Sequence, residues 1–302
     1  MIPSLEETVI RISKSDVQNR HLTSGFKLTR VGVTGVKKPV RVRRDGMDTL
    51  LNCDIDVFVD LPSTQRGSHL SRNLEVIAEI VEQGVSQPIK GLEVLAADIC
   101  RKLLERHEYA TYAEVHIDAD YFLQRTLHTG RKSIESYKLM AKATHKRGDG
   151  MMKMIGARVV GMTACPCAME TVDEIHGNHV KMEGALPTIT HNQRNVTTLM
   201  LEVPEECEVE ANDLIEIAEA SFSSPTFEIL KRAEEAYIVE TAHRNPKFVE
   251  DVVRDNLALI LKKYPQLPDD TVVTVSSESE ESIHKHNAMA ERITTLGEMR
   301  HG

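Results

Sequence analysis

The sequence predicts an α+β fold in which antiparallel sheets carry paired helices. Three observations predict it. Strand-like runs of alternating apolar and polar residues recur in both halves of the chain. Between them, apolar residues fall at helical spacing in successive segments. The order is strand, helix, helix, strand twice over, without regular strand–helix alternation and without a GxGxxG or P-loop signature.

Taken in order, residues 25–33 and 40–43 read as outer strands. Residues 54–61 (DIDVFVDL) alternate as a half-buried strand. Leu74, Ile77, Ile80 and Val81 recur at helical spacing, with Gly84 as the stop. Leu92, Leu95, Ala96, Ile99 and Leu103 mark a second helix, and 113–118 (AEVHID) returns to a strand. Further strands are expected over 136–145 and 153–163, with a turn-rich RGDG at 147–150 between them. That turn is the expected boundary between a first domain, 1–149, and a second, 150–302. The second half opens on a strand at 198–203, followed by a helix over 213–221 with Leu214, Ile217 and Ala218 inward. Asn245 is placed as an N-cap with Pro246 at the first helical position. It opens a long helix with Phe248, Val252, Val253, Leu257, Ile260 and Leu261 facing inward. Residues 270–276 (DTVVTVS) form the closing strand.

Composition narrows the function. Of 302 residues 41% are apolar, enough for a packed core, yet no apolar run approaches eighteen residues and no membrane span is expected. The first thirty residues lack the apolar core of a signal peptide. Five cysteines, an odd number in a long chain, argue against a disulfide framework and for a reducing cytoplasm. A net charge of −9 opposes broad nucleic-acid binding while leaving room for a local basic pocket around a phosphorylated small molecule.

The chemistry-bearing residues fall in three places: TACPCA at 163–168, HNQR at 191–194 and ESIHKH at 281–286. Thiolate, imidazole and carboxylate are the side chains that bind a transition metal. Taken singly, each has an ordinary reading. A lone cysteine is commonly a small buried hydrophobe. Cys167 is read as serving the core or supporting the site from behind. Cys53, Cys100 and Cys207 read as packing or surface cysteines. His284 and His286 would share one face of a strand, or lie in a solvated loop.

Together with RGSHLSR at 66–72 and NPKFVED at 245–251, these motifs resemble the type IB GTP cyclohydrolases, in order along most of the chain. The resemblance implies two tunnelling-fold modules in tandem per subunit, a homotetramer, and GTP as substrate. In bacterial members the CPC and HNQR motifs lie close together. Here residues 168–190 separate them, a polar, loop-like insertion containing His176, Gly177, His179, Gly184 and Pro187. This is similar to the archaeal branch, which uses Fe²⁺, makes 7,8-dihydroneopterin 2′,3′-cyclic phosphate and opens tetrahydromethanopterin synthesis. The bacterial branch instead releases dihydroneopterin triphosphate.

What the resemblance implies about residues is specific. Cys165 and His191 are metal ligands, for Fe²⁺ with Zn²⁺ or Mn²⁺ as alternatives. Glu235 takes the place of the ligand carboxylate, although Ala-Glu-Glu replaces the family's Pro-Asp-Glu and leaves Glu234 as an alternative. Glu250 pairs with the guanine edge, where two N–H donors meet two carboxylate oxygens; its ordinary reading is a first-turn glutamate favoured by the helix dipole. Arg66, Arg72 and Arg194 are the phosphate candidates. Cys165, His284 and His286 are the catalytic candidates. Two other classes remain open: a nitrile reductase of the same fold using Cys165 as nucleophile, suggested by ESYK at 135–138, and a non-catalytic metal-binding protein.

Overall fold

The computed structural model describes residues 17–22, 25–44, 47–86, 88–176 and 186–301. Two compact units emerge, one of residues 1–117 with 142–152, the other of residues 118–141 with 153–302. The turn at 147–150 lies within the first unit.

In the first unit, β1 (Leu28–Arg44) pairs antiparallel with β2 (Met47–Leu61). The two stretches expected at the start form one strand, because a register shift between Val33 and Val36 absorbs the irregularity. Gly35 sits there at φ +70, a left-handed conformation that glycine adopts without penalty. Period-two alternation buries Leu51, Cys53, Ile55, Val57, Val59 and Leu61 on one face of β2. Helices α1 (Leu70–Ser86) and α2 (Leu92–Arg106) supply the other side of the core through Val76, Ile77, Leu92, Leu95, Ala96, Ile99 and Leu103. Each such fully buried leucine or isoleucine contributes about 1.5–3 kcal/mol. Gly84 does not stop α1. It lies inside the helix, where a Cβ would meet Ile89 Cδ1 at 3.0 Å, so its smallness serves packing.

Three long strands, β3 (Tyr112–Thr126), β4 (Lys132–Lys146) and β5 (Gly150–Ala164), give residues to both units. Within the second unit they are followed by α3 (Pro166–His176), β6 (Asn192–Pro204), α4 (Ala211–Ser221) and the short β7 (Ser224–Pro225). Then come α5 (Arg232–Arg244), α6 (Val249–Lys263), β8 (Val272–Ser279), β9 (Ala288–Thr295) and α7 (Leu296–His301). The strand order is β3-β4-β5-β6-β8-β9, and β7 pairs with β5. β8 is antiparallel to both β6 and β9. The core gathers Leu199, Leu201, Leu214, Ile215, Val252, Ile260, Val273 and Val275.

Several expectations are corrected here. Residues 270–276 do not close the chain's sheet, because β9 and α7 follow. Asn245 is not the cap that opens α6. It ends α5, its N–H donating to Ala242 O, and α6 starts at Val249 with the Asp251 carboxylate accepting the Phe248 N–H at 3.0 Å. The segment after Cys165 is not wholly loop-like, since α3 occupies its start; Gly177, His179 and Gly184 lie outside the described residues. Phe248 is 44% exposed, a rim residue and not part of the core.

Candidate functional site

β5 ends at Ala164, and Pro166 occupies the first position of α3, where its missing N–H costs nothing. Cys165 therefore sits at a strand-to-helix joint and Cys167 lies on the helix, exposed. Cys167 is therefore not the core residue expected. The Ala168 N–H donates to Cys165 Sγ at 3.5 Å, so the first turn of α3 faces the sulfur.

His191 stands just before β6. The Cys165 N–H donates to His191 O at 3.0 Å, and Thr190 Oγ1 donates to Cys165 O at 2.7 Å. Backbone hydrogen bonding thus sets the two expected ligands side by side. On the imidazole, Nδ1 is 2.8 Å from Gln193 Oε1, 3.4 Å from Ser282 Oγ and 3.8 Å from Glu281 Oε2. Glu281 arrives because the β6–β8 pairing runs on beyond Ser279, the Glu280 N–H donating to Arg194 O at 2.9 Å. Its side chain and that of His191 are only 13% and 12% exposed.

α5 and α6 close in on the same joint. His243 on α5 has Nε2 3.4 Å from Thr190 O. The Lys247 N–H donates to Ala164 O at 3.0 Å, while its Nζ donates to Ser221 O and to Asp255. Asn245 Nδ2 donates to Phe222 O. The NPKF stretch thus stitches the end of α4 to the end of β5, and Glu250 follows in the first turn of α6, exposed.

The two glutamates on α5 part company. Glu234 is 2% exposed and accepts from Arg131, from Thr129 Oγ1 at 2.6 Å and from the Lys231 N–H at 2.8 Å. Arg131 first, then Thr129 and the Lys231 amide, hold its carboxyl down to about 2. With its oxygens engaged, Glu234 joins the β3–β4 turn to α5. His128 from that turn stacks on Tyr237, ring centroids 3.7 Å apart. Glu235 is exposed.

His284 and His286 do not lie on a strand. Residues 282–286 form a bend between β8 and β9, and both rings are exposed, stacked at 5.2 Å and 14°. Arg194 is exposed on β6, alternating with buried Gln193 and Asn195. Arg66 and Arg72 belong to the first unit: Arg66 is exposed, and Arg72 NH1 donates to Arg106 O at 3.2 Å. Cys53 and Cys100 are buried, as expected; burial pushes the Cys53 thiol up to about 12 and raises that of Cys100.

Among the described residues, no three His, Cys, Asp or Glu side chains converge closely enough to hold a metal ion. The Cys165–His191 pair does fit one by donor chemistry: a sulfur faced by the Ala168 amide, and an imidazole whose Nδ1 is already hydrogen-bonded. Gln193, Glu281 and His243 carried no assigned role in the sequence. Gln193 and Glu281 stood inside the HNQR and ESIHKH motifs, whereas no motif marked His243.

A family model described as type I GTP cyclohydrolase folE2 matches residues 15–290. GTP cyclohydrolase MptA of Methanothermobacter thermautotrophicus is 46% identical over 301 residues, 95% of each chain. That of Methanosphaera stadtmanae is 43% identical over 301 residues, 94% of this chain and 96% of its own. Among solved structures, uricase from Arthrobacter globiformis matches with a TM-score of 0.52 at 8% identity, over 91% of this chain and 94% of its own, a likeness of fold alone.

Proposed function

The chain belongs to the type I GTP cyclohydrolase folE2 family and is an enzyme of that class; from this premise we propose that it is the metal-dependent, archaeal form. In this reading it opens the guanine imidazole ring of GTP, releases formate and forms 7,8-dihydroneopterin 2′,3′-cyclic phosphate for tetrahydromethanopterin synthesis. The relatives named MptA from two methanogens support the branch. The observation that supports the metal is the backbone bond from Cys165 N to His191 O, which sets these two residues side by side at the end of β5.

When bound, a divalent cation supplies hydroxide at neutral pH and polarises the substrate. Cys165 and His191 would hold it, with Fe²⁺ as the working ion and Zn²⁺ or Mn²⁺ as alternatives. Glu235 is the proposed third ligand, exposed and unburdened by the ion pair that engages Glu234. Glu250 would accept from the guanine N1–H and amine, being solvent-facing at the start of α6. Arg194, Arg66 and Arg72 would neutralise phosphate. His284 and His286, on the bend after Glu281, would move protons. Two tunnelling-fold modules per subunit and a homotetramer in the cytoplasm complete the reading.

The test is anaerobic incubation of GTP with Fe²⁺-loaded protein and mass analysis of the pterin. Formate with the cyclic phosphate is the expected result. The triphosphate would place the chain with the folate-type product, and NADPH consumption without formate would favour the nitrile-reductase chemistry.

A further inference from the structure

His191 has two ring nitrogens, and only one can face a metal. Its Nδ1 lies 2.8 Å from Gln193 Oε1. An amide oxygen accepts and cannot donate, so Nδ1 carries the hydrogen and Nε2 keeps its lone pair. Gln193 is held from behind. It is 9% exposed, and its Nε2 donates to Thr163 Oγ1 at 3.3 Å. Thr163 meets Ser279 Oγ at 3.5 Å, and Ser279 accepts from Asn195 Nδ2 at 2.9 Å. Asn195 Oδ1 accepts in turn from Ser277 Oγ at 2.7 Å and Thr197 Oγ1 at 3.1 Å. Thr163, Asn195, Thr197 and Ser277 are fully buried, and Ser279 is 1% exposed.

This is a continuous polar ladder across β5, β6 and β8, in a place where an apolar face would pack the sheet without desolvating hydroxyls and amides. Such a ladder fixes geometry more than it stabilises. One end is buried sheet, and the other is the His191 ring.

We propose that Gln193 is a positioning residue: it accepts the Nδ1–H of His191 and, tethered through Thr163 to the ladder, presents Nε2 toward the metal beside Cys165. This rests on the metal reading above. The ladder restricts rotation of the ring and selects one tautomer before metal arrives, so the ligand is organised in the metal-free protein.

The experiment uses the full chain. Metal-free parent, Gln193→Leu, Gln193→Glu and His191→Ala are titrated with Zn²⁺ against a chromophoric chelator, and thermal unfolding of each metal-free form is recorded. Gln193→Leu should weaken Zn²⁺ binding by about 10- to 100-fold, the usual effect of removing a partner behind a ligand. Gln193→Glu should stay within about fivefold of the parent, because a carboxylate accepts Nδ1–H and can also accept the Thr163 hydroxyl hydrogen. Parent-like affinity in Gln193→Leu overturns the proposal, as does a Gln193→Glu protein as weak as the leucine variant. A role in folding alone would lower the unfolding temperature of both variants and leave the affinity of the folded protein unchanged, which also overturns it. Should Gln193→Leu not fold, nitrogen-15 imidazole shifts of the metal-free parent, assigned by their loss in His191→Ala, decide instead. The Nδ1–H tautomer is expected, and the Nε2–H tautomer overturns the proposal. A parent that binds no Zn²⁺ overturns the metal reading as well, whereas a metal-binding parent with an indifferent Gln193 overturns only this inference.

Discussion

Replacing His107 by glutamine should flatten the acid limb of the stability profile. His107 follows α2 in the first unit and is fully buried. Its Nε2 donates to Asn73 Oδ1 at 2.7 Å, and its Nδ1 accepts from Tyr109, 2.9 Å away, whose hydroxyl also meets Ser68 Oγ at 2.7 Å. Ser68 and Asn73 belong to the RGSHLSRN stretch, so this neutral imidazole ties the start of α1 to the end of α2. Burial, with Arg72 and His69 adding to it, lowers the ring from its ordinary 6.5 to about 4.

The sign follows from proton counting. Between pH 4 and 6.5 the unfolded chain holds a proton on His107 that the folded chain lacks, so acid favours unfolding. The contribution of the neutral ring is whole above pH 6.5, declines as the pH falls, and is gone near pH 4. Integrated over that shift it amounts to about 3 kcal/mol, of which about 2 kcal/mol has been lost at pH 5. Glu114 does not intrude. Burial pushes it up, but Arg30, His116 and Lys142 bring it down to about 2, well below this window. Urea unfolding of parent and His107→Gln at pH 7.5 and 5.0, followed by circular dichroism, gives the comparison. Groups unaffected by the substitution cancel between the two proteins, and the parent should lose about 2 kcal/mol more than the variant on acidification. Equal losses would refute the claim that the ring is held neutral by burial.

Glu234→Gln and Arg131→Ala should each lower the unfolding temperature, and the double variant should fall little further, since both remove one buried pair; Glu235→Gln should leave it unchanged and instead reduce bound metal, as metal analysis would reveal. Glu250→Gln should weaken GTP and guanosine alike by a factor on the order of 30 to 1,000, the cost of leaving buried donors unpaired, whereas Arg194→Ala should weaken GTP and spare guanosine; binding isotherms for both ligands distinguish the two. Air should inactivate the Fe²⁺ form, and Fe²⁺ with a reductant should restore it. In the metal-free protein, alkylation with iodoacetamide should reach Cys167 and Cys165 well before Cys53 and Cys100, which are buried with raised thiols; equal labelling of all four would contradict the burial.

β2 and α2 were legible because each carries a face: β2 alternates and α2 repeats at helical spacing, and both patterns are paid out in burial, whereas α5 and β9 were not read. α3 was not legible, since none of its residues is buried and a helix without a buried stripe leaves no periodic trace. Gly84 misled because glycine ends helices when it follows them and only loosens them when it lies inside, and the tertiary contact with Ile89 decides which. Asn245 misled for a related reason. Asparagine suits either end of a helix, and a chain that leaves α5 and enters α6 within a few residues offers it both.

The site was legible as far as short-range register carries. Cys165 and His191 could be named from motifs, but what joins them is a backbone bond between residues 26 positions apart, one leaving β5 and one entering β6. The carboxylates were harder. Glu234 and Glu235 are sequence neighbours, yet they point about 100° apart on a helix, and Arg131, 103 residues away, claims one of them. Glu281 reaches His191 only because β8 pairs with β6 in the register Asn195↔Ser279 and that pairing continues to Arg194 and Glu280. The same alternation buries Gln193 and Asn195 and turns Arg194 outward. A slip of one residue would exchange those faces, setting Arg194 against Thr163 and Gln193 in solvent. One strand register therefore decides three things together: which side chain backs the imidazole, which cation faces solvent, and which acid stands beside Nδ1.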